Sequence, residues 1–565
     1  MVQLADTVIK SRIHPLVAAI ARPRYAALTA ALLATAWLLF GPSGGDAAAH
    51  LYGAQVWREH GWRFWDNFWY AGRYSQVNYS LIYYPLAAVL TRGVVVVSSV
   101  ALAAGTFARV IGRQWPALAK WPCFAFAMLA PLAVPAGTDP FTLGLAFALL
   151  TVAALQARRA FLAVGLIALT ALAHPLALAF TVVALAGWAS ADRQWFADRR
   201  LRVLAGGAVV VLIAQFVLLR AFSDQGGRYS FDPKDAMAVA FFCVAGLALT
   251  YGVRDLAPLR GLFTAYAVVA TFTFVATTPL GGNIGRLVLV MGAPLLLVPL
   301  AARRFQPRWA APALVGAMVF WQTLPAVAGW NTVHAARAQH ESFWYPALAF
   351  LETHNTPGHR VEVVATADNW EAYYLARTGV PLARGWYRQD DWPANGVLYG
   401  QVTPPKYRHW LRLMGIRYVL LPSDPLDPSA SAEATMLRAG HSGLTVARRI
   451  GSWTIYELPN ATPIATPRTG IEVLSLRAEA LTLRVRRPGR YRISVRYTPY
   501  WNVTTNNGCV RPALPWGTEL DAFRAGIVRM RFRVQAGSVV DTVLGQPETC
   551  TARANESSVA GRVAP

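Results

Sequence analysis

Apolar runs recur through the first 330 residues, at about 25–40, 93–108, 121–136, 141–156, 160–173, 176–190, 203–220, 236–253, 260–278, 286–301 and 310–329. Each is long and apolar enough to read as a buried helix, and several approach the roughly 17–25 residues of a bilayer crossing. Leu81 to Leu90 is apolar but too short to cross, and reads as an interfacial or re-entrant piece. At Asn331 the period changes. Short apolar strands at 360–365, 381–386 and 416–422 alternate with helical stretches at 343–354, 370–377 and 407–414, the pattern of a small α/β unit. After Pro463 the pattern is all-β, with strands expected at 471–475, 480–486, 490–497, 526–533 and 539–544. The predicted fold class is therefore a polytopic α-helical membrane protein of about eleven spans with a C-terminal α/β unit and a β-sandwich. Its parts are residues 1–330 with a loop at 42–92, the α/β domain 331–462, a jelly-roll-like sandwich 463–550, and a tail 551–565.

Composition and charge sharpen this picture. Charged residues make up 15% of the chain, against about 25% in soluble proteins. The net charge of +24 comes from arginines that punctuate apolar runs, rather than from basic runs on a polar domain, which excludes a nucleic-acid partner. Arg109, Arg113, Lys120, Arg158, Arg159, Arg193, Arg199, Arg200, Arg202, Arg254, Arg260, Arg303, Arg304 and Arg308 fall in alternate loops. The intervening loops at 136–140, 174–175 and 279–285 are nearly uncharged. By the positive-inside rule the N-terminus is cytoplasmic, and the 42–92 loop and the C-terminal half are extracytoplasmic at the plasma membrane. Residues 1–24, with Lys10, Arg12, Arg22 and Arg24, precede a retained first span rather than a cleavage site. Cys123 and Cys243 lie inside apolar runs. Cys509 and Cys550 form an even pair in a polar region expected in an oxidising compartment, which suggests a disulfide.

The residues with chemistry gather in the loops on one side. Gly44-Gly45-Asp46 precedes a helical pattern from Ala47 to His60, so Asp46 can occupy its N-terminal turn, with His50 one turn later on the same face. Asp46 could be a helix cap or a functional carboxylate at the membrane surface, and His50 a satisfied imidazole or its partner. Trp57, Trp62, Phe64, Trp65, Phe68, Trp69 and Tyr70 follow, aromatic residues suited to the membrane boundary. Asp139 opens the fourth span and is either an N-cap or a second site carboxylate. His174-Pro175 turns a hairpin. Arg228 lies in the 221–235 loop. Asn283 and Arg286 follow a glycine pair at the entry of the tenth span, where a cation beside glycine-freed amides makes an anion site, or else simply snorkels. Tyr497, Tyr500 and Trp501 fit sugar stacking or core packing.

An Asp just after the first span, an interfacial helical loop, about eleven spans and a mixed external domain resemble the GT-C class of integral-membrane glycosyltransferases. More narrowly, three stretches resemble actinobacterial cell-envelope enzymes of the arabinofuranosyl- and mannosyltransferase type. They are Gly45-Asp46…His50 with Trp65…Trp69-Tyr70-Ala71-Gly72, then Asn369-Trp370-Glu371-Ala372-Tyr373-Tyr374, and Pro381-Leu382-Ala383-Arg384-Gly385-Trp386. The resemblance implies transfer from a polyprenyl-phosphate sugar in the bilayer to a glycan, glycolipid or protein acceptor, with inversion. Asp46, His50 and Asp139 would form the catalytic group, and Asn283, Arg286 and Arg228 would hold the donor phosphate. Trp65, Trp69, Tyr70 and His174 would face the acceptor sugar. The family's acidic pair is a single Asp46 here and no Asp-X-Asp occurs, so no cofactor is assigned; Asp139 would either shape the acceptor site or hold a divalent cation. Two other classes fit a polytopic chain, a transporter or flippase of lipid-linked glycans and a non-catalytic glycan-binding scaffold. Ionisable residues inside the spans would mark the first. Failure of Asp46 and Arg286 to converge would mark the second.

Overall fold

The computed structural model describes residues 14–191, 198–223, 230–276, 278, 280–303, 309–333, 336–505, 507–545 and 550. Lys10, Arg12, Arg193, Arg228, Arg304, Arg308 and the 551–565 tail lie outside the described residues. The chain divides into two compact units, one of residues 1–50, 79–216 and 228–334, the other of 51–78, 217–227 and 335–565.

The first unit is helical, and each apolar run of the sequence coincides with a helix. Eight are long and apolar enough to cross a membrane: Pro23–Phe40, Arg92–Gln114, Asp139–Gln156, Arg199–Ala221, Pro233–Thr250, Arg254–Val275, Gly281–Ala301 and Ala310–Trp330. The other three, Lys120–Ala136, Ala160–Ala173 and Pro175–Ser190, are shorter. The first of these is also broken, by a 3-10 turn at Ala130–Leu132 that carries Pro131. The chain is thus a multi-pass membrane protein, with eight qualifying helices among the described residues against about eleven expected. Small residues set the close crossings, as expected where helices pack by van der Waals contact in lipid. A Cβ on Gly261 would fall 1.9 Å from the Gly187 carbonyl oxygen, so the Pro175–Ala191 and Ala257–Val275 helices meet backbone to backbone.

The second unit holds the β-structure. Its α/β sheet runs in the order Arg360–Val363, Ile416–Pro422, Trp453–Glu457, Thr445–Ile450, the first pair parallel and the others antiparallel. The Pro404–Met414 helix illustrates how sequence sets these elements. Two prolines occupy its first turn, Gly415 ends it in the left-handed region, and Tyr407, Trp410, Leu411 and Met414 form one buried face at helical spacing. Two four-stranded antiparallel sheets follow. One joins Gly508–Pro512, Thr518–Ala522, Gly489–Ile493 and Ala465–Thr466, and the other Trp501–Val503, Gly526–Phe532, Ala480–Val485 and Ile471–Arg477. Cys509 and Cys550 are disulfide-bonded, with Cα atoms 5.6 Å apart.

Two expected strands are not strands. Residues 381–386 make a single parallel bridge, Val361 with Leu382, because Pro381 has no N–H to extend the ladder. Residues 536–543 form a helix with no buried side chain; the apolar pair Val539-Val540 suits either period. Tyr500 and Trp501 pack in the core. The Tyr500 hydroxyl donates to the Ala221 carbonyl at 2.9 Å and the Trp501 indole to that of Arg496 at 3.1 Å.

Candidate active site

The first unit brings two glycine turns together. Ala47–His60 is a helix and the His50 amide donates to the Asp46 carbonyl at 3.1 Å, so Asp46 stands at its start. Gly44 and Gly137 both have positive φ, +93° and +70°. A Cβ on Gly137 would lie 2.5 Å from the Asp46 amide nitrogen, and one on Gly44 would lie 2.6 Å from the Val134 carbonyl oxygen. Only glycine at both points lets the Asp46 turn seat against the turn that leads to Asp139.

Asp139 opens its helix and is completely buried. Its Oδ2 accepts from Arg92 Nε at 2.6 Å and from the Tyr83 hydroxyl at 3.0 Å. A buried carboxylate demands such a partner, and the ion pair ties the Asp139 helix to the start of the Arg92–Gln114 helix. Asp139 is thereby fixed between two helices, with Oδ2 fully engaged.

The two histidines are neutral and their tautomers follow from their neighbours. His50 Nε2 lies 2.9 Å from the Gly137 carbonyl oxygen. A carbonyl only accepts, so Nε2 carries the proton and Nδ1 presents a lone pair. Burial lowers the His50 pKa to about 4, with nearby Asp139 opposing and Arg92 and Arg286 reinforcing the shift. His174 is the reverse: its Nδ1 accepts from the Leu176 amide at 3.2 Å, which leaves the proton on Nε2. Burial again holds its pKa well below the usual imidazole value. His50 Nδ1, His174 Nε2 and Asp139 Oδ1 are buried and have no hydrogen-bond partner among the described residues. Tyr79 links the two imidazoles, with ring centroids 6.0 Å from His50 and 5.0 Å from His174.

Arg286 completes the group. The 3-10 turn Gly281–Gly285 delivers it as the first residue of the Arg286–Ala301 helix, and its Nη2 lies 3.7 Å from Asp46 Oδ2. Both side chains keep partial exposure, 17% for Arg286 and 11% for Asp46. Asn283 sits half-buried in the same turn, three residues ahead. Asp46, His50, Asp139, His174 and Arg286 thus share one neighbourhood, while Arg228 lies outside the described residues.

Sequence reasoning missed Arg92 and the tyrosines at 79 and 83. Arg92 occupies the place that singled out Arg286, the first residue of an apolar helix, and Tyr79 and Tyr83 share a helical spacing of four. The aromatic residues expected at the acceptor belong instead to the core of the second unit. Trp65 stacks on Phe532 at 5.5 Å, and Trp69 stacks on Tyr52 at 4.7 Å and donates to the Ala372 carbonyl at 2.8 Å. Tyr70 is buried to 1% exposure. The Leu382 amide donates to the Phe68 carbonyl at 2.9 Å. The stretches 65–72, 369–374 and 381–386 that carry the family resemblance therefore meet there as a packing motif.

The residues present do not fit a divalent cation. The two carboxylates on offer are each matched to a guanidinium, Asp46 to Arg286 and Asp139 to Arg92. No group of three His, Cys, Asp or Glu side chains suited to a metal ion occurs among the described residues.

No family model and no curated protein matches the chain. Among solved structures it is similar to the cryo-EM structure of the arabinofuranosyltransferase AftD from Mycobacteria, at 15% identity and TM-score 0.44, over 83% of this chain and 41% of that one. A mutant form of AftD from Mycobacteria matches at 16% identity and TM-score 0.48, over 83% of this chain and 43% of that one. The chain spans about two fifths of the length of those structures.

Proposed function

We propose that this protein is a membrane glycosyltransferase that moves a sugar, with inversion, from a polyprenyl-phosphate donor to an extracytoplasmic glycan, glycolipid or protein acceptor. The observation that carries the reading is the approach of Asp46 and Arg286 to 3.7 Å, with Arg286 near the start of a membrane-length helix and Asp46 in the turn that follows another, Pro23–Phe40. A carboxylate that takes a proton and a guanidinium that meets an anion are the two groups such a transfer needs on one side of a bilayer.

In the proposed reaction the acceptor hydroxyl oxygen attacks the anomeric carbon of the donor. Its proton passes to the Asp46 carboxylate, and the bond from that carbon to the phosphate oxygen breaks. The negative charge that grows on the departing lipid phosphate is met by Arg286, with Asn283 beside it. His174 offers an N–H and His50 a lone pair to sugar hydroxyls, and the buried Asp139–Arg92 pair holds the Asp46 turn in place.

The test is a reconstituted transfer assay with polyprenyl-phosphate sugars, polyprenyl-phosphate arabinofuranose first, with the anomeric configuration of the product determined. Arg286→Ala is expected to raise KM for the donor and lower kcat together, because the guanidinium meets the phosphate in the ground state and the further charge that develops on it in the transition state. No turnover and no binding with any lipid-phosphate sugar would overturn the reading. A product that retains configuration would overturn the single-displacement mechanism.

A further inference from the structure

The helices that present this site at one end carry an arginine cleft at the other. Pro23–Phe40 leads to Asp46, Arg92–Gln114 begins with Arg92, and Asp139–Gln156 begins with Asp139. At their opposite ends, Arg24, Arg109 and Arg159 line one cleft of about 650 Å³. Its walls are apolar, among them Ala27, Leu102, Leu150, Leu162 and Leu166. Leu102 and Leu162 are 41% and 48% exposed on helices of a membrane bundle, so the cleft opens sideways towards hydrocarbon. The three arginines are exposed and their guanidinium groups make no hydrogen bond or ion pair among the described residues. A helix of 18 residues is about 27 Å long, close to the hydrocarbon thickness of about 30 Å. The arginines therefore stand at the membrane surface opposite Asp46.

We infer that this cleft binds an anionic glycerophospholipid, its phosphate held by Arg24, Arg109 and Arg159 and an acyl chain laid against the leucine wall. Charge and shape select this occupant together. Planar guanidiniums bind phosphate oxygens in pairs, and a basic recess between membrane helices is a known form of anionic-headgroup site. Inorganic phosphate would leave the apolar wall uncovered, and a zwitterionic lipid would leave the net positive charge unmatched. The arrangement also reaches beyond a single snorkelling side chain, because three different helical segments aim cations at one recess. The site is independent of the transferase reading and would stand if that reading fell.

The test compares wild-type protein with the triple variant R24Q/R109Q/R159Q in nanodiscs containing phosphatidylglycerol or cardiolipin diluted in phosphatidylcholine. Native mass spectrometry after mild delipidation reads which lipid stays bound. Wild-type protein is expected to retain about one anionic lipid in preference to phosphatidylcholine. Loss of about fivefold in affinity per arginine, roughly a hundredfold for three, is the expected effect of the variant. Ala101→Phe keeps every charge but fills the wall of the cleft, and is expected to lose the retained lipid too, which distinguishes a built site from surface attraction. Equal retention of anionic and zwitterionic lipid by wild type, full retention by the triple variant, or displacement of the lipid by millimolar inorganic phosphate would each overturn the inference.

Discussion

Each unit holds a cluster of acid and arginine among the described residues, and these two use the same side chains to opposite ends. In the second unit Arg384 sits between Glu362 and Glu433, its Nε 2.7 Å from Glu362 Oε1 and its Nη2 3.1 Å from Glu433 Oε2. Tyr407 donates to Glu433 at 2.6 Å, and Asp391 is held by Asn395 and Tyr399. All are buried or nearly so, and the space beside them amounts to about 10 Å³, room for no sugar. In the first unit the Asp46–Arg286 pair is longer, keeps partial exposure, and stands beside polar atoms of His50, His174 and Asp139 that no protein group engages among the described residues. A tight, enclosed network specifies a fold. A looser pair set beside buried polar atoms with unused hydrogen-bonding capacity suits a substrate, and the sequence alone, rich in both residue types, does not separate the two.

The largest expected effect breaks the closed cluster. Arg384→Met leaves Glu362 and Glu433 buried and facing each other, at a cost of about 3–5 kcal/mol. Arg286→Met, by contrast, is expected to cost less, since at 3.7 Å its pair lacks direct hydrogen-bond contact and involves one carboxylate rather than two. Thermal unfolding of the two variants, followed by tryptophan fluorescence, checks the contrast.

A second experiment uses glycine. Gly137→Ala forces a Cβ to within 2.5 Å of the Asp46 amide at φ +70°, a left-handed position that costs about 1–2 kcal/mol. A displacement of about 1 Å at Asp46 would reduce transfer by roughly a hundredfold. Gly61→Ala is the control: its φ is +67° but nothing lies within 4 Å, so it is expected to show the strain without the loss of transfer.

The smallest effect is in the response to pH, where the two regions have opposite signs. Burial raises Glu371 to about 7 and Asp391 to about 6. Both bind protons more tightly folded than unfolded, so their stabilisation is complete below about pH 4 and fades as pH rises through 6 to 7. His50, lowered to about 4, stabilises fully above about pH 6.5 and progressively less as pH falls towards 4. Thermal proteolysis resolved by fragment, at about pH 5 and pH 8, is expected to show the second unit favoured by acid and the His50 region favoured by base.

Much of this was legible in the chain because local pattern and burial agree. Ala47–His60 and Ile416–Pro422 fall at the expected residues, one cued by a glycine pair and an acid, the other by an unbroken apolar run. The approach of Arg286 to Asp46 was readable from charge at helix entrances. The role of Arg92 was not, since only the fold shows that its partner is Asp139 rather than solvent. Trp65 and Trp69 misled for a physical reason: an aromatic ring that stacks on a sugar and one that seals a core look alike in sequence. Val539-Val540 misled because two adjacent β-branched residues carry no period.

The central claim is that Asp46 takes the acceptor's proton, and Asp46→Asn tests it most directly. The substitution keeps size and removes the proton acceptor. Single-turnover transfer from a saturating lipid-phosphate sugar, at matched donor occupancy, is the measurement. The account predicts a fall of about 10²–10⁴-fold with donor binding nearly unchanged. Near-wild-type turnover by Asp46→Asn would contradict it.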